Sequence, residues 1–280
     1  MPILRERKEL ELIVWPENRQ CDRSWLLENI PGAAGVIVLL SEQVNDELLD
    51  KAGPSLKVVS TMSVGYEHLF LPALAKRGIR VGYTPDILTD AGFGRIAQAT
   101  LARLVPFGIR QCIYTGNPAA SAFSGSSARD HALAASLSLP AGAISRVPLT
   151  DLAVRSDVLF VLAPGGPETY HTVDADFLRR MKSSAVLVNP SRGSLVDSDA
   201  LARALREGWI WGAGLDVVEG EPRVGTDHPL VNEPRCVILP HIGSATFETR
   251  LGMATLAAKN VIGGVLGETM PTELDLNGQA

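Results

Sequence analysis

The sequence predicts an α/β protein built from two doubly wound, parallel-sheet domains. Three observations carry that reading. Short apolar runs of strand length recur along the chain, and stretches of helical pattern separate most of them. Aromatic residues are sparse at 5%, while Ala, Leu, Val and Gly are plentiful, as buried parallel sheets require. Apolar strands alternating with amphipathic helices make parallel sheets with right-handed crossovers.

Taken in order, the strand-like runs are LELIVW (10–15), AGVIVLL (34–40), LKVVSTM (56–62), IRVGYT (79–84), RQCIYT (110–115), DVLFVLA (157–163), SAVLVN (184–189), GAGLDVV (212–218) and CVILP (236–240). Helical patterns lie over SEQVNDELLDKAG (41–53), GRIAQATLARLVPFG (94–108) and SDALARALREG (198–208). Nine runs exceed what a single half of a dinucleotide-binding fold uses, which implies two domains. The segment from Gly116 to Pro148, biased toward Ala, Ser and Gly, predicts a long loop with one weak helix.

Composition excludes several classes. A chain of 280 residues with 46% hydrophobic and 20% charged residues is neither disordered nor collagen-like. A net charge of −5 gives no electrostatic reason to bind nucleic acid or an anionic membrane. The three cysteines, Cys21, Cys112 and Cys236, are far apart and form neither a disulfide framework nor a structural zinc site. The charged start MPILRERKELE lacks the apolar centre of a secretory signal, and no apolar run approaches the roughly 18 residues of a membrane span. A reducing compartment, the cytosol, is the expected location.

Gly92-Phe93-Gly94-Arg95-Ile96-Ala97 matches the GxGxxG/A pattern that lets a backbone approach a pyrophosphate at a helix N-terminus. The pattern requires a buried strand just upstream. Thr84 to Asp90, with a proline and two aspartates, does not read as one. The acidic residue that would hold a ribose 2′-hydroxyl is also missing, since Tyr114-Thr115-Gly116-Asn117 has no carboxylate. Between Ala91 and Thr150 the chain has five arginines and one acid, Asp130, which favours a 2′-phosphate and therefore NADP over NAD.

Three further clusters end or follow a strand-like run. Asn189-Pro190-Ser191-Arg192-Gly193 places Arg192 where a guanidinium can grip a carboxylate. Gly214-Leu215-Asp216-Val217 is followed by Glu221-Pro222, and Pro240-His241-Ile242-Gly243-Ser244 follows CVIL. Taken singly, Arg192 reads as a surface ion-pair residue and His241 as a structural histidine. Together, Arg, Glu and His at the ends of successive parallel strands converge on one crevice. The set suits carbonyl reduction. His241 acts as the acid, Glu221 holds its ring and raises its pKa, and Arg192 orients substrate and stabilises charge on oxygen. The hydride comes from a nicotinamide cofactor, whose carboxamide Asp216 can bind. His68, His131, His171 and His228 show no comparable setting, and no metal-ligand spacing occurs among them.

At this point the chain resembles the D-2-hydroxyacid dehydrogenase family, most closely its glyoxylate/hydroxypyruvate reductase branch. The matching stretches are LKVVSTMSVGYEHL, KRGIRVGYTPDILTD, GFGRIAQA, NPSRGSLVDSDAL, GAGLDVVEGEP, DHPL, CVILPHIGSAT and PTELDL, in the family's order along nearly the whole chain. The resemblance implies reduction of glyoxylate or hydroxypyruvate by two Rossmann-like domains. One is an outer substrate domain of residues 1–90 plus 244–280, and the other an inserted dinucleotide-binding domain of residues 91–243. It implies that Arg192, Glu221 and His241 are catalytic, and that the backbone of Ser63, Val64 and Gly65 receives the substrate carboxylate, with Ser244 near the substrate. Gly92, Gly94, Arg95, Ile96, Thr115, Pro164, Asp216 and Gly243 would line the cofactor site. Formate and phosphoglycerate dehydrogenases of the same family fit less well, given the absent aspartate after RQCIYT.

Two family features have no counterpart. A long helix, a dimerising arm and the first strand of the nucleotide domain normally separate the LTD segment from GxGRI, whereas here Ala91 follows Asp90 directly. That amounts to about 50 residues. The chain also begins late within the outer domain's first strand and helix. The family's homodimer would therefore lack its arm, and the nucleotide domain its central strand. The expectation is impaired activity, and an incomplete gene model or splice variant explains a clean junction better than evolved remodelling does. The competing reading is an inactive remnant that keeps part of the fold and acts by binding.

Overall fold

Parallel pairing dominates the architecture. The computed structural model describes residues 2–84, 94–116 and 124–277. Two compact units emerge, one of Met1–Ile87 with Ser244–Ala280 and the other of Leu88–Gly243.

The first unit begins with α1 (Pro2–Arg5) and α2 (Arg23–Asn29), then alternates β1 (Gly35–Val38), α3 (Asp46–Ala52), β2 (Val58–Thr61), α4 (Leu71–Lys76) and β3 (Arg80–Gly82). The strands pair in the order β1-β2-β3, with Val58 opposite both Gly35 and Arg80. The central β2 is buried at all four residues, as expected of a parallel strand covered on both faces. Helix α3 starts where Asn45 Oδ1 accepts the Leu48 amide, with Asp46 and Glu47 in the first turn to complement the helix dipole. Its Leu48 and Leu49 join Val38, Val59, Leu74 and Val81 in the core.

LELIVW is not a strand, contrary to its pattern. Residues 10–15 carry no strand structure, and Ile13 and Val14 stand 61% and 62% exposed. An apolar run becomes a strand only where a sheet edge offers it partners.

The second unit comprises α5 (Arg95–Leu104), β4 (Cys112–Tyr114), α6 (Ala128–Ser136), β5 (Ile144–Arg146), α7 (Leu149–Arg155), β6 (Val158–Phe160), α8 (Ala175–Arg180), β7 (Val186–Asn189), α9 (Ser198–Glu207), β8 (Gly212–Leu215) and β9 (Cys236–Ile238). Gly116–Pro148 is thus more than a loop with one weak helix, since it holds β5 as well as α6. Helix α6 opens with a reciprocal capping box between Ser127 and Asp130, and Ile144 of β5 is fully buried against Leu101 and Ala134. Among the described residues the strands form two parallel sheets, β4-β5 and β6-β7-β8-β9, which are not hydrogen-bonded to each other. The larger sheet packs under α7, α8 and α9, whose Ala153, Leu178, Leu201 and Leu205 are buried.

Finally α10 (Phe247–Leu266) returns to the first unit, where Val261 meets Val58. Its Asn260 is fully buried. The side chain donates to Tyr83 O (3.1 Å) and Thr272 Oγ1 (2.9 Å) and accepts the Thr272 amide (3.0 Å), tying helix, β3 exit and C-terminal segment together. Among the described residues no helix is long and apolar enough to cross a membrane. Asn260→Ala strands these partners, so urea denaturation should show a loss of about 1–3 kcal/mol.

Candidate active site

The site of the second unit grows from the carboxyl ends of three adjacent parallel strands. Asn189 closes β7 and is buried, and its main-chain oxygen accepts the Asp216 amide just beyond β8 (2.9 Å). Its side chain folds over the next turn. Oδ1 accepts the amide and hydroxyl of Ser191 (3.1 and 3.0 Å), and Nδ2 donates to Arg192 O (2.9 Å). That turn sets the backbone of Arg192, whose guanidinium also donates to Ser191 O (2.8 Å). The next residue must be glycine. A Cβ on Gly193 would lie 2.2 Å from both the carbonyl carbon and oxygen of Val218, and 2.6 Å from the Glu219 nitrogen. The Arg192 loop and the loop after β8 therefore touch backbone to backbone.

That second loop delivers Glu221. One carboxylate oxygen accepts the Val218 amide (2.6 Å), and the other lies 2.8 Å from His241 Nδ1. A carboxylate only accepts, so Nδ1–H donates and Nε2 is the atom that exchanges a proton. Beyond β9 the ladder persists, with Leu239 N donating to Leu215 O (2.8 Å) and His241 N to Asp216 O (2.9 Å). His241 sits at φ 52°, in the left-handed region that side chains avoid. Asp216 holds it there, because its two oxygens accept the amides of Ile242 (2.8 Å) and Gly243 (2.9 Å).

The electrostatics follow from that geometry. The bond to Glu221 raises the His241 pKa above the ordinary histidine value, and the charges of Glu221 and Asp216 add to it. Burial and the nearby positive charge of Arg192 oppose the rise without reversing it. The arrangement favours the protonated ring, with Nε2 free of the Glu221 bond, beside a cation able to receive an anion.

Of the residues expected at the site, Arg192, Asp216, Glu221, His241 and Gly243 are brought together. Asp216 is seen to position the His241–Gly243 turn, in addition to any contact with a ligand. Pro164 lies in the loop after β6, where its carbonyl accepts Thr169 Oγ1 (2.8 Å). Gly94 caps α5, Ile96 is exposed in its first turn, and Thr115 follows β4. Gly92 and the side chain of Arg95 lie outside the described residues. Ser63, Val64 and Gly65 belong to the first unit, on the loop leaving β2. There buried Ser63 donates to Gly65 O (2.5 Å) and bonds Thr61 Oγ1 (2.6 Å), which in turn meets His68 Nε2 (2.9 Å). Ser244 is an exposed residue of the same unit.

Two histidines therefore have settings that their sequence context hides. His68 is linked to the Ser63–Gly65 loop through Thr61. His171 Nε2 lies 2.7 Å from Glu219, a second histidine–carboxylate pair in the unit that carries His241. Neither has a spacing signal, since His171 and Glu219 are 48 residues apart. Among the described residues no group of three metal-ligating side chains occurs.

The sequence model for the D-isomer specific 2-hydroxyacid dehydrogenase NAD-binding domain matches residues 88–243. The chain is 37% identical to the human glyoxylate reductase/hydroxypyruvate reductase, covering 98% of this chain and 93% of the relative. That alignment runs over 322 residues, 42 more than the 280 of the whole chain. The crystal structure of the TT0316 protein from Thermus thermophilus superposes with a TM-score of 0.74 at 30% identity, covering 98% of this chain and 96% of that one. The NADPH-dependent glyoxylate/hydroxypyruvate reductase of Sinorhizobium meliloti, solved with NADP and malonate, gives 0.69 at 28% identity, with coverages of 87% and 84%.

The His241–Glu221 pair sets a testable titration. By NMR the His241 imidazole should titrate above the ordinary histidine range, and Glu221→Gln should bring it down. A raised folded-state pKa stabilises fully below the unfolded value and less as pH rises through the folded one. The stability difference between parent and Glu221→Gln, read by urea midpoints, should accordingly shrink as pH rises through the His241 midpoint.

Proposed function

Because the chain belongs to the D-isomer specific 2-hydroxyacid dehydrogenase family, we propose that it reduces glyoxylate or hydroxypyruvate to the 2-hydroxyacid, with NADPH preferred over NADH. The observation that carries this reading is the 2.8 Å contact of His241 Nδ1 with Glu221, on a loop that abuts the Arg192 turn. When bound, the nicotinamide cofactor supplies the hydride that adds to the carbonyl carbon. His241 Nε2 delivers the proton to the carbonyl oxygen, so C=O becomes CH–OH and the carboxylate is unchanged. Arg192 orients the carboxylate and stabilises negative charge growing on the carbonyl oxygen. Glu221 fixes the ring by holding Nδ1–H and favours its protonated form. Receipt of the carboxylate by the backbone of Ser63, Val64 and Gly65, and a substrate contact from Ser244, belong to the same proposal.

The cofactor assignment also rests on this chain's residues. Gly94, Arg95 and Ile96 at the start of α5, with Gly92 of the same sequence motif, would serve the pyrophosphate, Thr115 the adenosine ribose, and Pro164, Asp216 and Gly243 the nicotinamide half. Two observations support the phosphorylated cofactor. The Arg146 guanidinium lies against Gly116, where a Cβ would sit 3.0 Å from Nη2. The acid of this region, Asp130, is committed to capping α6 and to the Tyr114 hydroxyl, so it is not a ribose ligand.

We further infer that the positions lacking a counterpart here lie at the Asp90–Ala91 junction and include a strand that joins the two sheets of the nucleotide unit. The separation of β4-β5 from β6-β7-β8-β9, and Val158 of β6 standing 46% exposed, support that inference. Turnover is then lower than in relatives that carry the segment. The same separation favours a second reading, an inactive remnant that acts by binding.

Purified protein should oxidise NADPH with glyoxylate or hydroxypyruvate, faster than NADH, and His241→Ala should lower kcat by about 10²–10⁴-fold. Thermal melting should rise with NADPH. No turnover and no cofactor-dependent shift would refute the enzymatic reading in favour of the remnant. Inserting the human relative's segment between Asp90 and Ala91 should raise both turnover and melting temperature.

A further inference from the structure

The structure assigns a positioning role to His171 and Glu219: the pair braces the loop of Arg192 against the loop of Glu221. The assignment rests on the reductase reading of those two residues and His241.

The Glu219 carboxylate reaches two other segments at once. His171 lies on the segment after β6, and its Nε2–H donates to Glu219 Oε1 (2.7 Å) in the loop after β8. The other Glu219 oxygen accepts the Ser198 amide (2.9 Å), the first residue of α9 beyond the Arg192 turn. One carboxylate thus ties together the exits of β6, β7 and β8.

Main-chain bonds run the same way. His171 N donates to Ser194 O (2.9 Å), Val173 N to Leu195 O (3.0 Å), and Asp197 N to Val173 O (3.1 Å). On the opposite side Gly193 contacts the Val218–Glu219 backbone. The stretch from Gly193 to Ser198 is therefore held between the His171 segment and the Glu219 loop. Gly220, at φ 84°, separates Glu219 from Glu221. On either side of that glycine one carboxylate meets His171 and the other meets His241.

His171 is held as firmly as its partner. It occupies φ 50°, and its ring stacks on Tyr170 with centroids 3.9 Å apart and planes at 14°. Asp197 Oδ2 lies 3.8 Å from Nδ1. Both members of the pair are about a quarter exposed, at 27% each, which shields the bond from solvent more than a surface ion pair. Burial pushes the Glu219 carboxyl up, but the bonds from His171 and Ser198 outweigh it and keep the group below its usual range. The pair lies among loop residues that flank Arg192 and Glu221, so its removal acts first on their placement.

The test uses His171→Ala, Glu219→Gln and His171→Gln, with two readouts. The first is the NMR titration of His241 without substrate, whose ring faces Glu221, Asp216 and Arg192. The second is kcat and KM for glyoxylate. With the brace removed, the His241 midpoint should move to lower pH as the Glu221 contact loosens. The value of kcat/KM should fall about tenfold, mainly through KM, since small misplacements of positioning groups cost up to about 100-fold. His171→Gln keeps an N–H donor and should recover most of both effects. Unchanged His241 titration and unchanged KM in folded His171→Ala or Glu219→Gln would overturn the assignment, even with a lower melting temperature. If the parent shows no turnover, the reductase reading fails, while the titration still decides the brace.

Discussion

The rest of the site depends on a main-chain ladder that does not stop where its strands stop. Past the end of β8 the Asp216 amide still bonds Asn189 O, and past β9 the amides of Leu239 and His241 still bond Leu215 O and Asp216 O. The three loops leave the sheet already in register. Side chains of moderate reach then suffice to place a guanidinium, a carboxylate and an imidazole together. Parallel strands make this possible because all of their carboxyl ends lie on one edge. The cost is local and visible at His241, whose left-handed backbone is held by two amide bonds to Asp216.

Much of this was legible in the sequence for a physical reason. Asp216 lies at the end of an apolar run, and Arg192, Glu221 and His241 lie within three residues after one, and a residue's place at a strand's exit is a local property. Features that depend on long-range pairing were hidden. The strand β5 lies in a stretch biased toward Ala, Ser and Gly, and it forms because Ile144 is buried against Leu101 and Ala134. LELIVW has a strand's composition, yet among the described residues no strand pairs with it. The His171–Glu219 bond joins residues that only the fold brings together. Gly193 was legible as part of a motif, yet its requirement comes from the Val218 carbonyl, which no local pattern announces.

The chain uses one electrostatic device twice within a few residues. Glu221 holds Nδ1 of His241, and Glu219 holds Nε2 of His171. The first leaves Nε2 available for proton transfer. The second engages Nε2, which suits a brace. Which ring nitrogen meets the carboxylate thus separates the two roles. The four-stranded sheet carries all of these residues, whereas the β4-β5 pair carries Thr115 and the Arg146–Gly116 contact. Among the described residues the Arg192–Glu221–His241 cluster thus draws on one continuous sheet and needs nothing from the β4-β5 pair.

The central claim is that the sheet itself preassembles that cluster. Native-state hydrogen exchange of individual amides tests it most directly. If the ladder extends through the loops, the amides of Asp216, Leu239 and His241 should open with the same free energy as those of β7 and β8. Exchange of these three at the rate of surface loops, while the strands stay protected, would contradict the account.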